Sequence, residues 1–328
     1  MPFFRKSKDL EADVGAVRVY YASDIHGSEG LWRKFLNAAR VYEAGVIIMG
    51  GDVTGKAVIP LRESPEGFEL ELFGRQELLT DDVQLAEAEQ RIRANGMYPH
   101  RMTREEIDRV SALSEEGREE WFAEVMLQTF ARWMELAEER LDGTEVRCFL
   151  MPGNDDPPGV DTAIENATRV EACDDRIVEF DGYTMISLGY SNRTPFHSPR
   201  ELDEDELFRR VERLASQIED HGHSIFNLHV PPYDSTLDTA AELDSDLAVV
   251  MVGSEPKLIP VGSTAVRELI ERYQPMLSVH GHVHESAAAA RIGRTLCINP
   301  GSDYHTGRIA GCLITLRGGR VRHQFVTG

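Results

Sequence analysis

Seven residues of this 328-residue chain have types and surroundings that could do chemistry together: Asp24, His26, Asp52, Asn154, His229, His282 and His284. They stand in short motifs, namely Asp24-Ile25-His26, Gly51-Asp52, Gly153-Asn154-Asp155-Asp156, His229 and Gly281-His282-Val283-His284. Carboxylate, amide and imidazole groups in that number suffice for two neighbouring divalent ions. A mixed oxygen and nitrogen set without thiolate suits Mn²⁺, Fe or Zn²⁺ better than Ca²⁺ or Mg²⁺, which prefer oxygen shells. Two such ions form a hydrolytic device: they acidify a shared water and stabilise both oxygens of an in-line displacement at phosphorus. Asp52, with two oxygens, could bridge them. Each motif alone is weak, but all of them in this order, each closing an apolar run, are a strong signal.

The apolar runs are the elements that must position these groups. Residues 17–22 read as a strand entering Asp24-Ile25-His26, and Leu31, Phe35, Leu36, Ala39 and Val41 then recur at helical spacing toward Gly45, an expected C-cap. Residues 46–49 form a second strand ending in Gly51-Asp52, so the pair reads as a βαβ unit with ligands at the carboxyl ends of its strands. Further strands at 146–151, 224–228 and 276–279 lead to Asn154, His229 and His282. A hairpin is expected across Asp181-Gly182, with helices over 202–218 and 264–273. The tail, 287–326, alternates short strands with Gly-rich turns. The pattern predicts an α/β fold of two packed mixed sheets flanked by helices, a four-layer αββα sandwich.

Between the second and third motifs lies an insertion, residues 56–145, dividing a main domain of residues 1–55 and 146–328. It reads as a β-hairpin around Ser64-Pro65-Glu66-Gly67 followed by helices over 81–94 and 103–141, the second broken near Gly117. Phe122, Val125, Met126, Phe130, Trp133, Ala137 and Leu141 form a stripe with the 3.6 period. Packing of that stripe on the main domain is the expectation. The alternative is a homo-oligomer through the insertion, which would serve as a cap or as an assembly element.

The bulk numbers narrow the function classes. A net charge of −21 argues against sequence-independent binding to duplex nucleic acid or anionic membranes, while still allowing a phosphate substrate beside bound dications. Cys148, Cys173, Cys297 and Cys312 are widely spaced with no CxxC pair, residues 1–10 hold no apolar signal core, and no segment approaches a membrane span. A cytoplasmic protein off the membrane is expected.

The motif series resembles the calcineurin-like metallophosphoesterase superfamily, whose pattern is D-x-H, G-D, G-N-H-D/E, H and G-H-x-H on a double-sheet αββα sandwich. The resemblance spans roughly residues 17–55 and 146–326. It implies that Asp24, His26, Asp52 and His284 hold one metal, and that Asp52, Asn154, His229 and His282 hold the other, with Asp52 bridging. Asn299-Pro300-Gly301-Ser302 is similar to a tail motif of smaller bacterial and archaeal phosphodiesterases in this superfamily. Residues 191–196, followed by Pro199-Arg200-Glu201, resemble a loop of predicted phosphoesterases related to the Icc cyclic-nucleotide phosphodiesterase. The function so implied is dinuclear hydrolysis of a small phosphodiester substrate. A phosphomonoesterase or phosphoprotein phosphatase, or a weakly catalytic metal-binding interaction protein, is the alternative.

One position departs from that pattern. Asp155 replaces the histidine that normally follows the asparagine, and an ionised carboxylate is a poor proton donor that repels phosphate. Three readings stay open: Asp155 engages the metal centre itself, another group such as His197 or His305 supplies the acid, or turnover is low. Asp155, Asp52 and Asn154 are the catalytic candidates, and Asn192, Arg193 and His197 are the substrate candidates. His280 is expected to hydrogen-bond behind the ligands rather than to join them.

Overall fold

The computed structural model describes residues 15–328, so the reading of residues 1–10 lies outside the described residues. Two six-stranded mixed sheets carry the fold. The first runs from edge to edge through Arg320–Thr327, Ala310–Arg317, Val17–Ala22, Val46–Met49, Arg147–Leu150 and Glu171–Ala172. The second runs through Ala288–Ile292, Thr295–Asn299, Leu277–Val279, Ser224–Leu228, Tyr183–Leu188 and Arg176–Phe180.

Side-chain alternation along each strand divides the core into layers. Val19, Tyr21, Val46, Ile48 and Phe149 face the second sheet's Met185, Ile225, Leu277, Val279 and Ile298 in a central apolar layer. The opposite faces of the same strands, with Tyr20, Ile47, Met49 and Leu150, are covered by helices Glu29–Val41, Glu115–Leu141 and Val160–Glu165. Helices Glu204–Ala215 and Thr264–Tyr273 cover the outer face of the second sheet through Leu207, Val211, Val266 and Ile270. This is the four-layer αββα sandwich that the strand and helix pattern predicts.

The central strands are parallel. Val17–Ala22 pairs with Val46–Met49, and that strand with Arg147–Leu150; Ser224–Leu228 pairs with Leu277–Val279. Their carboxyl ends therefore open on one edge of each sheet, where all five motifs begin.

The insertion builds a sheet of its own from Arg75–Leu79, Gly67–Leu72, Val58–Ser64 and Tyr98–Met102, backed by helix Asp82–Ala94 through Leu61, Leu70, Leu85, Ala88 and Ile92. The hairpin is as expected; the other two strands are additional. Both are edge strands with polar or proline-containing sequences, a composition that edges tolerate and that hides them from a periodicity reading. Helices Arg104–Ser111 and Glu115–Leu141 are separated before Ser114, whose hydroxyl accepts the Gly117 N–H at 3.2 Å as an N-cap. Gly117 thus sits in the first turn of the second helix rather than at the break.

The apolar stripe of Glu115–Leu141 is buried against helix Glu29–Val41. Trp32 and Trp133 stack with ring centroids 6.0 Å apart, and the Trp32 indole N–H donates to the Trp133 carbonyl at 2.9 Å. Val125, Met126, Phe130, Trp133, Ala137 and Leu141 of that stripe are buried within the chain, and Phe122 is half-buried. Among the described residues, no helix is long and apolar enough to cross a membrane.

Candidate metal centre

The loops leaving the parallel strands are laced together by their backbones. Asp24 N–H donates to Gly51 O at 2.9 Å, His26 N–H to Asp52 O at 3.0 Å, and Gly281 N–H to His229 O at 2.9 Å. Close approach requires glycine at two of these turns. A Cβ on Gly153 would lie 2.1 Å from Asp52 Oδ1, and one on Gly281 2.3 Å from Asp24 Oδ2. Asp24, His26, Asp52 and His282 all hold positive φ (58°, 39°, 50° and 66°), a conformation that costs a non-glycine residue roughly 1–3 kcal/mol and gathers where geometry is imposed for function.

The side chains converge in two separate groups, with a third, His26, Asp52 and Asp155, overlapping both. Asp24, His26 and His284 form one, and Asp52, His229 and His282 the other, with the donor atoms of each group mutually within 4.8 Å. Asn154 belongs with the second: its Oδ1 lies 3.0 Å from His229 Nε2 and 2.7 Å from His282 Nδ1, while its amide N–H donates to Asp155. Asp52 Oδ2 lies between the groups, 3.4 Å from His229 Nε2 and 3.8 Å from His26 Nε2. All seven residues predicted from sequence are therefore brought together.

The donor set fits cations. His229 Nδ1 faces the Gly50 carbonyl at 2.8 Å, which must accept; a neutral His229 donating there turns the lone pair of Nε2 toward Asn154 Oδ1, itself an acceptor. His26 Nε2 and His284 Nε2 face each other at 3.0 Å, and His26 Nδ1 is buried without a hydrogen-bond partner. Donor atoms gathered about 3 Å apart match the spacing of ligands roughly 2.1 Å from a shared ion.

The charge balance points the same way. Burial pushes the Asp52 carboxyl up, but His229, His26 and the Asp155 N–H outweigh it and hold the group well below the ordinary carboxylate range. Burial opposes a charge on His229, yet the Asp52 and Asp24 carboxylates raise it to about 10. Burial and then the His229 charge push His282 down to about 4. The fold thus concentrates negative charge that calls for a cation, and a metal ion competes with the proton for His229.

Several residues outside the ligand prediction build this geometry. Asp156 is buried and accepts from four donors: Val53 N–H (3.1 Å), Gly153 N–H (2.7 Å), Thr54 N–H (2.8 Å) and the Thr54 hydroxyl (2.5 Å), which joins the Asp52 loop to the Asn154 loop. Arg200, also buried, donates from its backbone to Asn154 O at 3.1 Å and from Nε to Asp156 O at 2.9 Å, and pairs with Asp161 and Asp174. Asn299 Nδ2 donates to the Gly281 and Val283 carbonyls at 3.2 and 2.9 Å, and Ser302 Oγ to Asp24 O at 2.6 Å, so the tail motif braces the ligand turns. His280 donates from Nδ1 to Leu228 O at 2.8 Å. Tyr304, not singled out from sequence, packs its ring 4.7 Å from His26 and 5.7 Å from His284.

Asp155 lies at the rim. Its N–H donates to Asp52 Oδ1 at 2.9 Å, its carboxylate accepts from Ser198 Oγ at 2.5 Å, and the Lys56 ammonium is in direct contact. Of the substrate candidates, Asn192 is half-buried with its amide toward the Val261 and Gly262 carbonyls (3.4 and 3.5 Å), Arg193 is exposed and paired with Asp203 at 2.9 Å, and His197 is exposed. From the same loop it is Ser198 that reaches Asp155. His305 is exposed beside Asp303.

Comparison with known proteins agrees with this picture at the level of the fold. A crystal structure covering 94% of this chain and 98% of its own superposes with a TM-score of 0.53 at 16% identity. That of TT1561 from Thermus thermophilus covers 94% and 98%, with a TM-score of 0.50 at 13% identity. The uncharacterised protein MJ1162 of Methanocaldococcus jannaschii is 29% identical over 177 residues, which are 52% of this chain and 72% of that protein. No protein-family model matches the sequence. At these identities the likeness to the solved structures is one of fold: the paired sheets whose strand ends carry the Asp, Asn and His motifs to one edge.

Proposed function

We propose that this protein is a metal-dependent phosphoesterase that hydrolyses a small phosphodiester at a dinuclear centre. The observation that carries the reading is the pair of donor groups meeting at Asp52, with ring nitrogens and the Asn154 carbonyl oxygen gathered about 3 Å apart. Asp24, His26, Asp52 and His284 would hold one ion, and Asp52, Asn154, His229 and His282 the other. Bound divalent ions supply an acidified water and neutralise charge on the phosphoryl oxygens.

The chain's own residues do the rest. Gly50 O fixes the His229 ring, Asp155 Oδ1 turns the Asn154 carbonyl inward, and His282 N–H donates to Asp24 Oδ1 at 3.0 Å, so each donor is aimed before any ligand arrives. Four buried, unpaired cysteines are consistent with a reducing compartment. Residues 56–145 are proposed as a cap element: Gly96 lies against the His26 loop, where a Cβ would stand 2.3 Å from His26 O.

The test is turnover of bis-p-nitrophenyl phosphate and p-nitrophenyl phosphate by the Mn²⁺-reconstituted protein, with Asp52→Asn as control. Diester turnover abolished by the substitution is expected. A preference for the monoester would replace the diester reading, and two bound metals without turnover of either would refute the enzymatic one.

A further inference from the structure

We propose that Lys56, held in place by Asp155, is the cation that meets the substrate's phosphoryl oxygen at this centre, and that the insertion fixes it there. The inference rests on the phosphoesterase reading above. Asp155 on its own would place a carboxylate where an anionic substrate must approach. Its charge is not alone: one oxygen accepts from Ser198 and from Asn154 Nδ2 at 3.1 Å, and the other is in contact with Lys56 Nζ. An ammonium has three N–H donors, so one spent on Asp155 leaves two for an incoming oxygen. The Lys56 side chain is 64% exposed although its backbone neighbours Thr54 and Gly55 are buried, so the head group stands at the open rim rather than within the protein. Its partner Asp155 donates its N–H to Asp52 Oδ1 at 2.9 Å and has a carboxylate oxygen grouped with His26 and Asp52, which brings the ammonium to the ligand cluster.

The backbone on either side of Lys56 is pinned by the insertion. Gly55 N–H donates to the Tyr98 hydroxyl at 2.6 Å, and Tyr98 N–H donates to Ala57 O at 2.9 Å, with the Tyr98 ring fully buried. Gly55 is wedged between neighbours, since a Cβ there would lie 2.2 Å from Gly96 O. Lys56 is the first residue of the insertion, so the segment that separates the second motif from the third delivers this cation. The other nearby cations are committed elsewhere: Arg193 to Asp203, Arg200 to Asp161 and Asp174. Lys34 and Lys257, the remaining lysines among the described residues, bond to Gly307 and Gly328 carbonyls and to Glu242. An ordinary surface ion pair has no reason to be carried on so rigid a junction beside a ligand cluster.

Inorganic phosphate binding to the Mn²⁺-loaded full chain, followed by calorimetry, tests this without turnover. Lys56→Met should weaken phosphate binding at least tenfold while leaving Mn²⁺ affinity and stoichiometry unchanged, and Lys56→Arg should recover most of the loss. In diester turnover the Met variant should raise KM. The pair Asp155→Asn and Lys56→Met/Asp155→Asn separates contact from charge cancellation: the double variant should still bind phosphate about tenfold less tightly than Asp155→Asn. Wild-type phosphate affinity in Lys56→Met with Mn²⁺ bound, or equal affinities in that pair, would overturn the proposal and leave the phosphoesterase reading standing. A wild-type chain that takes up no Mn²⁺ would overturn both.

Discussion

Replacing Asp156 by Asn tests the idea that the metal-binding loops are held by a buried anion rather than by the ions alone. Burial and the neighbouring Asp52 charge push the Asp156 carboxyl up to about 6, while four hydrogen-bond donors pull it back, so at neutral pH it is ionised and both oxygens accept. An asparagine is nearly the same size but turns two N–H groups toward positions that now meet N–H donors. Whichever way the amide is flipped, one or two backbone N–H groups among Val53, Thr54 and Gly153 lose their acceptor. At roughly 1–3 kcal/mol for each buried donor left unpaired, the loss is about 3 kcal/mol. For a chain of this size that lowers Tm by about 4–5 °C. Because the same carboxylate ties the Asp52 loop to the Asn154 loop, Mn²⁺ affinity should also fall, by roughly 10–100-fold as for other groups that orient metal ligands. Urea denaturation with EDTA gives the first quantity and calorimetric Mn²⁺ titration the second. If Asp156 were protonated in the native protein, asparagine would mimic it; unchanged stability and unchanged Mn²⁺ affinity at pH 7.5 would refute the argument.

Two further outcomes follow from the same structure. Burial, opposed by Gly189 N–H and Arg200, pushes the Asp174 carboxyl up to about 6, above its unfolded value; its contribution to stability is therefore full below about pH 4 and lost as pH rises through 6. Urea denaturation at pH 4.5 and 7.5 should show the wild type losing about 2 kcal/mol relative to Asp174→Asn over that interval, and parallel profiles would contradict it. Mn²⁺ at a hundred times its dissociation constant should stabilise the native chain by about 2.7 kcal/mol per site, reversed by EDTA and reduced in Asp52→Asn. A thermal melt unmoved by Mn²⁺ would count against the centre.

How much of this was legible in the sequence depended on where each residue's partner lies. The seven ligand candidates could be read because their chemistry is intrinsic to residue type and because parallel strands deliver their carboxyl ends to one edge; Val46–Met49 followed by Gly51-Asp52 already implies that placement. Strand Arg75–Leu79 could not, since its polar edge sequence acquires a strand's character only from the Gly67–Leu72 ladder beside it. Asp156 and Arg200 look like ordinary charged loop residues, and their roles come from backbone groups 102–103 and 44 positions away. Asp155 shows the consequence most sharply. Judged by its own chemistry, it puts a repulsive charge at the mouth of a phosphate site. In the folded chain it stands against Lys56, from a segment that shares no motif with it, so the local field at the rim carries a cation with N–H groups to spare. The sign of a site's field is a property of the assembled neighbours, and a substitution that looks disabling residue by residue can be matched by one insertion-borne lysine.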